Sequence, residues 1–459
     1  MSHITLDLAP ALRAHREQDV DTCLAEISPI LEYVPHHPVA LHLKAWAMSK
    51  QGRKAEALEI LSEVISKNPR LVPARAEYGE ILMSHSRHAE ALKELAEAHR
   101  LQPDRDAVIV KYCICLIKNH RSGEAERLLM DLLKRSPKDV SARFALAIAF
   151  LQQGKWAQGF SQYRIRFWFE GIDQDLIRDE ATLWKGELLS GKTLLIQCEQ
   201  GYGDQILFIR YANWVKQTFN PAKIVVSAKP EMASLLASAY GVDEVVTDLK
   251  EAAYDLHVPL LNLPLLHKTT PETIPFANDR YLGLSADRLK KWERVFAGDR
   301  DKIAICWRTN LISDEHSQSI DHEKRVKSLS CDEAEQLCYQ LRSVFPKARL
   351  LSLQPGANPE EKEMMARCGI ENVWNWAISD FADTAAIIEQ MDLVVSIDTG
   401  IAHLAGALAR PVWNLLPHYS DWRWSQDDEY SSWYPDMRLF RQSEENNWMS
   451  LDSDNRVKN

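Results

Sequence analysis

Four stretches of this sequence combine residue types that could do chemistry. In EQGYGDQILFIRY (199–211), Gly201 and Gly203 permit a tight turn and close approach to a ligand. The helix opened there offers free N–H groups to an anion. Asp204 lies in its first turn, where a carboxylate either caps the helix or takes a proton from an attacking hydroxyl as general base. The turn is not a dinucleotide fingerprint, because the third glycine is missing and no phosphate-loop lysine follows. In SIDTGIAHLAGALARPVWNLL (396–416), a strand ends at Asp398 and Thr399-Gly400 turns directly into a helix. That N-terminus suits a nucleotide diphosphate, with the Thr399 hydroxyl and backbone N–H groups as donors. His403, one turn in, is either structural or looks back at the ligand.

The third stretch is KIAICWRTN with HEKRVKSLS (302–310 and 322–330). A strand ends at Trp307-Arg308, and the polar loop beyond carries Lys324, Arg325 and Lys327. Cations there are either diphosphate clamps or a solvated charged loop. The fourth is aromatic: DWRW (421–424), SSWYPDMRLFRQ (431–442) and Trp448. Such a cluster could stack on a sugar or base, but core filling is the expected role for most of it. Arg423 and Arg438 are then structural unless they reach a cleft.

These motifs need elements to hold them. From about residue 190, short apolar runs alternate with amphipathic stretches. TLLIQCEQ, KIVVS, KIAICW, RLLSLQ, LVVSID and a final PVWNLL read as strands. Residues 203–217, ASLLASAY, DEAEQLCYQLRSVF, EEKEMMARCG, TAAIIEQM and TGIAHLAGALA read as helices, and YDLHVPLLNLP runs into a loop. This alternation predicts parallel sheets covered by helices. A charged break over 286–302 divides it into two half-domains facing a cleft, with ligands at the carboxyl ends of the strands.

The first third is different. Pro35, Pro69, Pro103 and Pro137 are each 34 residues apart. Cys23, Ala57, Ala91, Ala125 and Gly159 keep the same period, as do Ala11, Ala45, Gly79, Cys113 and Ala147. Small residues midway along two helices allow close packing, and the proline stops the second helix. About five helical hairpins follow over residues 4–172, the last of them, with Gly159 and Arg166 in its columns, reading as a junction or cap. A solenoid groove points to partner binding.

Composition sets the outer bounds. At 46% hydrophobic residues the chain can bury cores, so it is neither a disordered tail nor a disulfide-stapled miniprotein. The net charge of −10 argues against a general nucleic-acid binder. Residues 1–172 carry a net charge of about +3 and residues 173–459 about −13. An acidic half that holds an anionic donor needs local positive potential from helix N-termini and a few cations. The eight cysteines show no zinc spacing and read as buried thiols. No signal peptide or membrane-length apolar run is read, so a cytoplasmic protein is expected.

Together, LWKGELLSGKTLLIQCEQGYGDQILFIRYA, YDLHVPLLNLP, DLVVSIDTGIAHLAGALARPVWNLLP, DWRW and SSWYPDMRLFRQ resemble bacterial tetratricopeptide-repeat proteins with a glycosyltransferase domain. That domain is similar to the lipopolysaccharide heptosyltransferase family, glycosyltransferase family nine, of GT-B fold. The D-T-G-x-x-H-L-A block is the most specific motif. The resemblance implies a helical-repeat solenoid followed by an α/β transferase of two Rossmann-like half-domains. The expected boundaries are repeats over 1–172, a linker over 173–190, an acceptor-side half over 191–300 and a nucleotide-sugar half over 301–430. A tail over 431–459 is expected to pack back on the transferase. By resemblance Asp204 is the general base beside the Gly201/Gly203 turn. Asp398, Thr399, Gly400, His403, Arg325, Trp307 and Arg308 lie on the donor side. The sequence departs from the usual pattern at WRTN, where relatives carry a small residue and a glycine after Trp307.

The implied activity is sugar transfer from a nucleotide-sugar to an acceptor hydroxyl, inverting, with no metal and no cofactor beyond the donor substrate. The repeats would bind a protein acceptor, such as flagellin, or a partner enzyme. The alternatives are a saccharide- or lipid-directed enzyme of surface polysaccharide synthesis and a catalytically inactive repeat scaffold.

Overall fold

A computed structural model describes residues 7–168, 176, 179–298, 301–309, 327–375, 378–425 and 428–442. The chain divides into two compact units, one running to Ala149 and one starting at Phe150.

The first unit is all helical: α1 (Ala9–Arg16), α2 (Val20–Tyr33), α3 (Pro38–Lys50), α4 (Lys54–Lys67), α5 (Val72–Ser84), α6 (His88–Leu101), α7 (Asp106–Lys118), α8 (Ser122–Arg135) and most of α9 (Val140–Gln152). The proline column falls two residues beyond the ends of α2, α4, α6 and α8, where the missing N–H cannot extend the ladder. The small-residue columns lie at the helix contacts. A Cβ on Gly79 would sit 2.6 Å from Leu95 Cγ, so only glycine permits that approach. A further column appears only in the structure. Gln18, Gly52, Ser86 and His120 all take left-handed backbone in the turns between paired helices, as does Gly154 just past the unit boundary. Because Gln, Gly, Ser and His share that position, composition did not reveal it.

The second unit begins with the end of the repeat pattern. α10 (Trp156–Tyr163) packs into the α/β body, so the compact boundary lies at 149/150 instead of the expected 172. The physical reason is aromatic and ionic. Trp156 stacks on Trp433 at 4.8 Å, and Phe160 and Tyr163 meet Trp422 edge-on. Arg166 forms a two-pronged ion pair with Glu199, both side chains fully buried. Asn262 Oδ1 and the Leu261 N–H complete that knot.

Two parallel sheets follow. The first, in the order β3-β2-β1-β4, contains β1 (Thr193–Gln197), β2 (Lys223–Ser227), β3 (Glu244–Val246) and β4 (Leu256–Pro259). Its helices are α11 (Tyr202–Phe208), α12 (Tyr211–Phe219), α13 (Pro230–Leu236) and α14 (Leu263–His267). The single helix expected over 203–217 is broken. Arg210 Nε donates to the Leu207 carbonyl, the acceptor that a continuous helix would offer to Tyr211. YDLHVPLLNLP, expected to run into a loop, supplies β4.

α15 (Ala286–Val295) occupies the charged connector. The second sheet, in the order β10-β9-β8-β5-β6-β7, contains β5 (Lys302–Cys306), β6 (Arg349–Ser352), β7 (Ile370–Asn372), β8 (Leu393–Ile397), β9 (Val412–Leu416) and β10 (Met437–Arg441). Its helices are α16 (Cys331–Val344), α17 (Pro359–Cys368), α18 (Phe381–Ile388) and α19 (Gly400–Ala407). PVWNLL is therefore not the final strand, because β10 continues the sheet beyond it in parallel. One face of this sheet buries Ile303, Ile305, Trp307, Val395, Ile397, Trp413 and Leu415. Strand order reverses between β1 and β4 in the first sheet, and between β5 and β8 in the second. The loops leaving β1, β5 and β8 thus sit at switch points, where such folds bind ligands. Among the described residues no helix is long and apolar enough to cross a membrane.

Candidate active site

The loop leaving β1 turns sharply. Gln200 takes left-handed backbone (φ 62°), and Gly201 caps α11. Asp204 Oδ2 accepts the Gly201 N–H at 3.2 Å, so the capping role exists. Its Oδ1 is paired with Arg423 Nη2. Arg423 Nη1 reaches Asp421 Oδ1 at 2.7 Å, and its guanidinium lies over the Trp422 ring at 4.5 Å. Burial pushes the Asp204 carboxyl upward, and Asp421 adds to this; Arg423 and the Gly201 N–H oppose it. Arg423, expected to be structural unless it reached the cleft, is thus the direct partner of the candidate base. Arg438 stays structural, paired with Glu429 beside β10.

The loop leaving β8 carries the second cluster. Asp398 Oδ2 is 2.7 Å from Lys327 Nζ, and Asp398 Oδ1 is 4.0 Å from His403 Nε2. Burial pushes the Asp398 carboxyl up, but Lys327, then His403, outweigh it, and the net shift is downward. Thr399 is the N-cap of α19, its hydroxyl 3.0 Å from Ser396 Oγ. His403 is buried, stacks on Trp424 at 5.1 Å and is held down to about 4 chiefly by burial, with the cations Arg423 and Arg210 also lowering it.

The two clusters touch. A Cβ on Gly203 would lie 2.6 Å from His403 Cδ2, and one on Gly400 would lie 3.7 Å from Tyr202 Cβ and 3.9 Å from the Gly203 nitrogen. Gly203 therefore serves a close approach of α11 to α19, bringing the Asp204 turn against the Asp398–His403 turn.

Trp307 and Arg308 open the loop leaving β5, beside the β8 loop, with their polar groups directed to Glu361. Trp307 is buried in the sheet core, and its indole N–H donates to Glu361 Oε1 at 3.0 Å. Arg308 grips the same carboxylate through Nε (2.7 Å) and Nη2 (3.1 Å). Glu361 also caps α17 by accepting the Asn358 N–H. Arg325 lies outside the described residues; from the same loop, Lys327 is the cation brought to Asp398. Sequence reasoning passed over Tyr434, whose hydroxyl is 3.1 Å from His403 Nδ1. The signal was its position beside DWRW in the second conspicuous aromatic block. Among the described residues, no group of three or more His, Cys, Asp or Glu side chains has the arrangement of a metal site.

Comparison with known proteins agrees with this architecture. Residues 368–424 match glycosyltransferase family 9 (heptosyltransferase), and residues 42–106 and 82–142 match tetratricopeptide-repeat families. Protein FlbA of Caulobacter vibrioides is 25% identical over 431 residues, spanning 86% of this chain and 68% of that protein. A glycosyl transferase family 9 structure from Veillonella parvula covers 56% of this chain and 88% of its own, at 7% identity and a TM-score of 0.43. A thermophilic tetratricopeptide-repeat protein from Thermus thermophilus covers 36% and 90%, at 21% identity and a TM-score of 0.31. The chain joins tetratricopeptide repeats to a glycosyltransferase family 9 (heptosyltransferase) domain.

Proposed function

We propose that the α/β body transfers a sugar from a nucleotide-sugar to an acceptor hydroxyl, in the cytoplasm, with inversion and without metal or further cofactor. The observation that carries this reading is the seating of His403 against Gly203, which joins the Asp204 turn to the Asp398–His403 turn that Lys327 reaches, at two switch points. Asp204 takes the acceptor proton as the acceptor oxygen attacks the anomeric carbon. The bond from that carbon to the diphosphate oxygen breaks in the same displacement. Lys327 and the N–H groups opening α19 meet the charge that develops on the leaving diphosphate. Asp204 suits a base because its burial makes the carboxylate more basic. Each carboxylate oxygen has two lone pairs, so the contacts to Arg423 and Gly201 leave room for a hydroxyl.

The repeats, whose usual use is a binding groove, hold the acceptor, which we take to be a protein such as flagellin. The heptosyltransferase match favours a second reading, a saccharide- or lipid-linked acceptor. The test has two arms. The full chain is incubated with UDP-, GDP- and ADP-sugars, and nucleotide binding and release are followed. Surface proteins and polysaccharide from a deletion strain are then weighed by mass spectrometry. Release with one donor and loss of a protein-borne sugar support the proposal. A truncated polysaccharide favours the second reading, and absence of both binding and release identifies an inactive scaffold.

A further inference from the structure

Behind His403 lies a sealed chain of polar groups with a readable direction. Arg210, Tyr281, Tyr434 and His403 are all buried. Tyr281 Oη is 3.0 Å from the Ile206 carbonyl, which can only accept, so Tyr281 donates to it. That commits the single proton of Tyr281, whose oxygen then accepts from Arg210 Nη2 at 3.1 Å. Tyr434 Oη lies 3.3 Å from Tyr281 Oη and 3.1 Å from His403 Nδ1. Since Tyr281 has no proton left to give, Tyr434 donates to Tyr281. The oxygen of Tyr434 is left as an acceptor, and His403 Nδ1 must supply the proton.

The arrangement is built to hold. A Cβ on Gly406 would stand 2.5 Å from Tyr434 Cγ, so the phenol ring rests directly on the backbone of α19. The Arg210 guanidinium covers the Tyr281 ring at 4.5 Å and the Tyr434 ring at 4.9 Å.

We propose that Tyr434 is a positioning residue that fixes His403 as its Nδ1–H tautomer, so that Nε2 presents a lone pair and receives a ligand hydroxyl. Nε2 makes no hydrogen bond to the described residues, and Asp398 Oδ1, at 4.0 Å, is too far to bond it directly. A bare Nε2 takes the single proton of a hydroxyl, and with the Asp398 carboxylate 4.0 Å away it repels a phosphate oxygen. The assignment of a sugar hydroxyl rests on the glycosyltransferase reading above; the tautomer does not.

The test uses the full chain carrying 15N-labelled histidine. Long-range proton–nitrogen correlation at neutral pH distinguishes a protonated ring nitrogen from a bare one, and His403→Gln identifies the His403 signals. The expected result is a protonated Nδ1 and a bare Nε2. Tyr434→Phe removes the acceptor oxygen and should move the proton to Nε2. Tyr281→Phe keeps Tyr434 but frees its proton for Nδ1, and should give the same reversal. A wild-type chain protonated on Nε2, or folded variants with an unchanged tautomer, would overturn the proposal.

Binding of UDP-, GDP- and ADP-glucose against the bare diphosphates then locates the hydroxyl. Loss of one buried hydrogen bond predicts a drop of about tenfold. In Tyr434→Phe, a drop confined to the sugar nucleotide assigns the hydroxyl to the donor sugar. Unchanged binding with about tenfold slower transfer assigns it to the acceptor. An equal drop for the bare diphosphate would place a phosphate at Nε2 and refute the hydroxyl assignment. If no nucleotide binds at all, the function reading fails while the tautomer result stands.

Discussion

The most regular ion pairs of the repeats and the most buried ones of the α/β body differ in kind. In the repeats, one set of ion pairs is short-range and exposed: Arg53–Glu56, Arg87–Glu90 and Arg121–Glu124 each join residues three apart and recur every 34 residues, while Arg75–Glu94 and Lys111–Glu80 link neighbouring helices. In the body, ion pairs cross long stretches of chain and are largely buried: Arg166–Glu199, Arg308–Glu361, Lys327–Asp398 and Arg423–Asp204. The first kind decorates helices that packing already holds. The second kind exists only once the fold is assembled, and its members bracket the candidate site. Exposed pairs contribute little, because water screens them, whereas a buried charge that loses its partner is costly.

That contrast can be broken by substitution. Glu199→Gln leaves the Arg166 guanidinium buried without a counter-charge and is expected to cost about 3–5 kcal/mol. Denaturant unfolding followed by tryptophan fluorescence should report it, since most tryptophans belong to the body. A loss below about 1 kcal/mol would show that the buried pair is no different in kind from the exposed ones.

His403 sharpens the comparison through pH. Its ordinary value is 6.5, and the folded chain holds it at about 4. Between those values the unfolded chain binds the proton and the folded chain does not, so stability falls as pH drops from 6.5 towards 4 and then levels off. The loss attributable to this group is roughly 3 kcal/mol. Comparing the pH dependence of unfolding in wild type and His403→Gln isolates it; parallel curves would contradict the assignment. The smallest effect is expected at the surface. Arg53→Ala should leave the Tm of the repeats essentially unchanged, since the Arg53–Glu56 pair is exposed.

The same difference governs what could be read from sequence. Helical hairpins announce themselves because their contacts lie within one 34-residue period, so the proline and small-residue columns were visible directly. The strands framing both switch-point loops were legible as apolar runs, and the Asp204 and His403 turns as glycine-linked strand–helix junctions. Strand β10 was missed because an edge strand beyond a tryptophan-rich turn shows no long apolar run. Arg423 could be read only conditionally, because its partner Asp204 is 219 residues away. The grip of Glu361 on Trp307 and Arg308 was not legible, because its partners lie more than fifty residues away and leave no local signal. Tyr434 gained meaning only when the fold placed it beside His403.

The central claim is that Asp204 is the base of a sugar-transfer site, not merely the cap of α11. Asp204→Asn keeps an acceptor oxygen for the Gly201 N–H but removes the basic carboxylate. The direct measurement is transfer rate and donor affinity for wild type and Asp204→Asn, using whichever nucleotide-sugar the wild type turns over. Loss of a general base predicts a fall in kcat of about 10²–10⁴-fold, with donor affinity retained. Undiminished kcat in a folded Asp204→Asn chain would contradict the account.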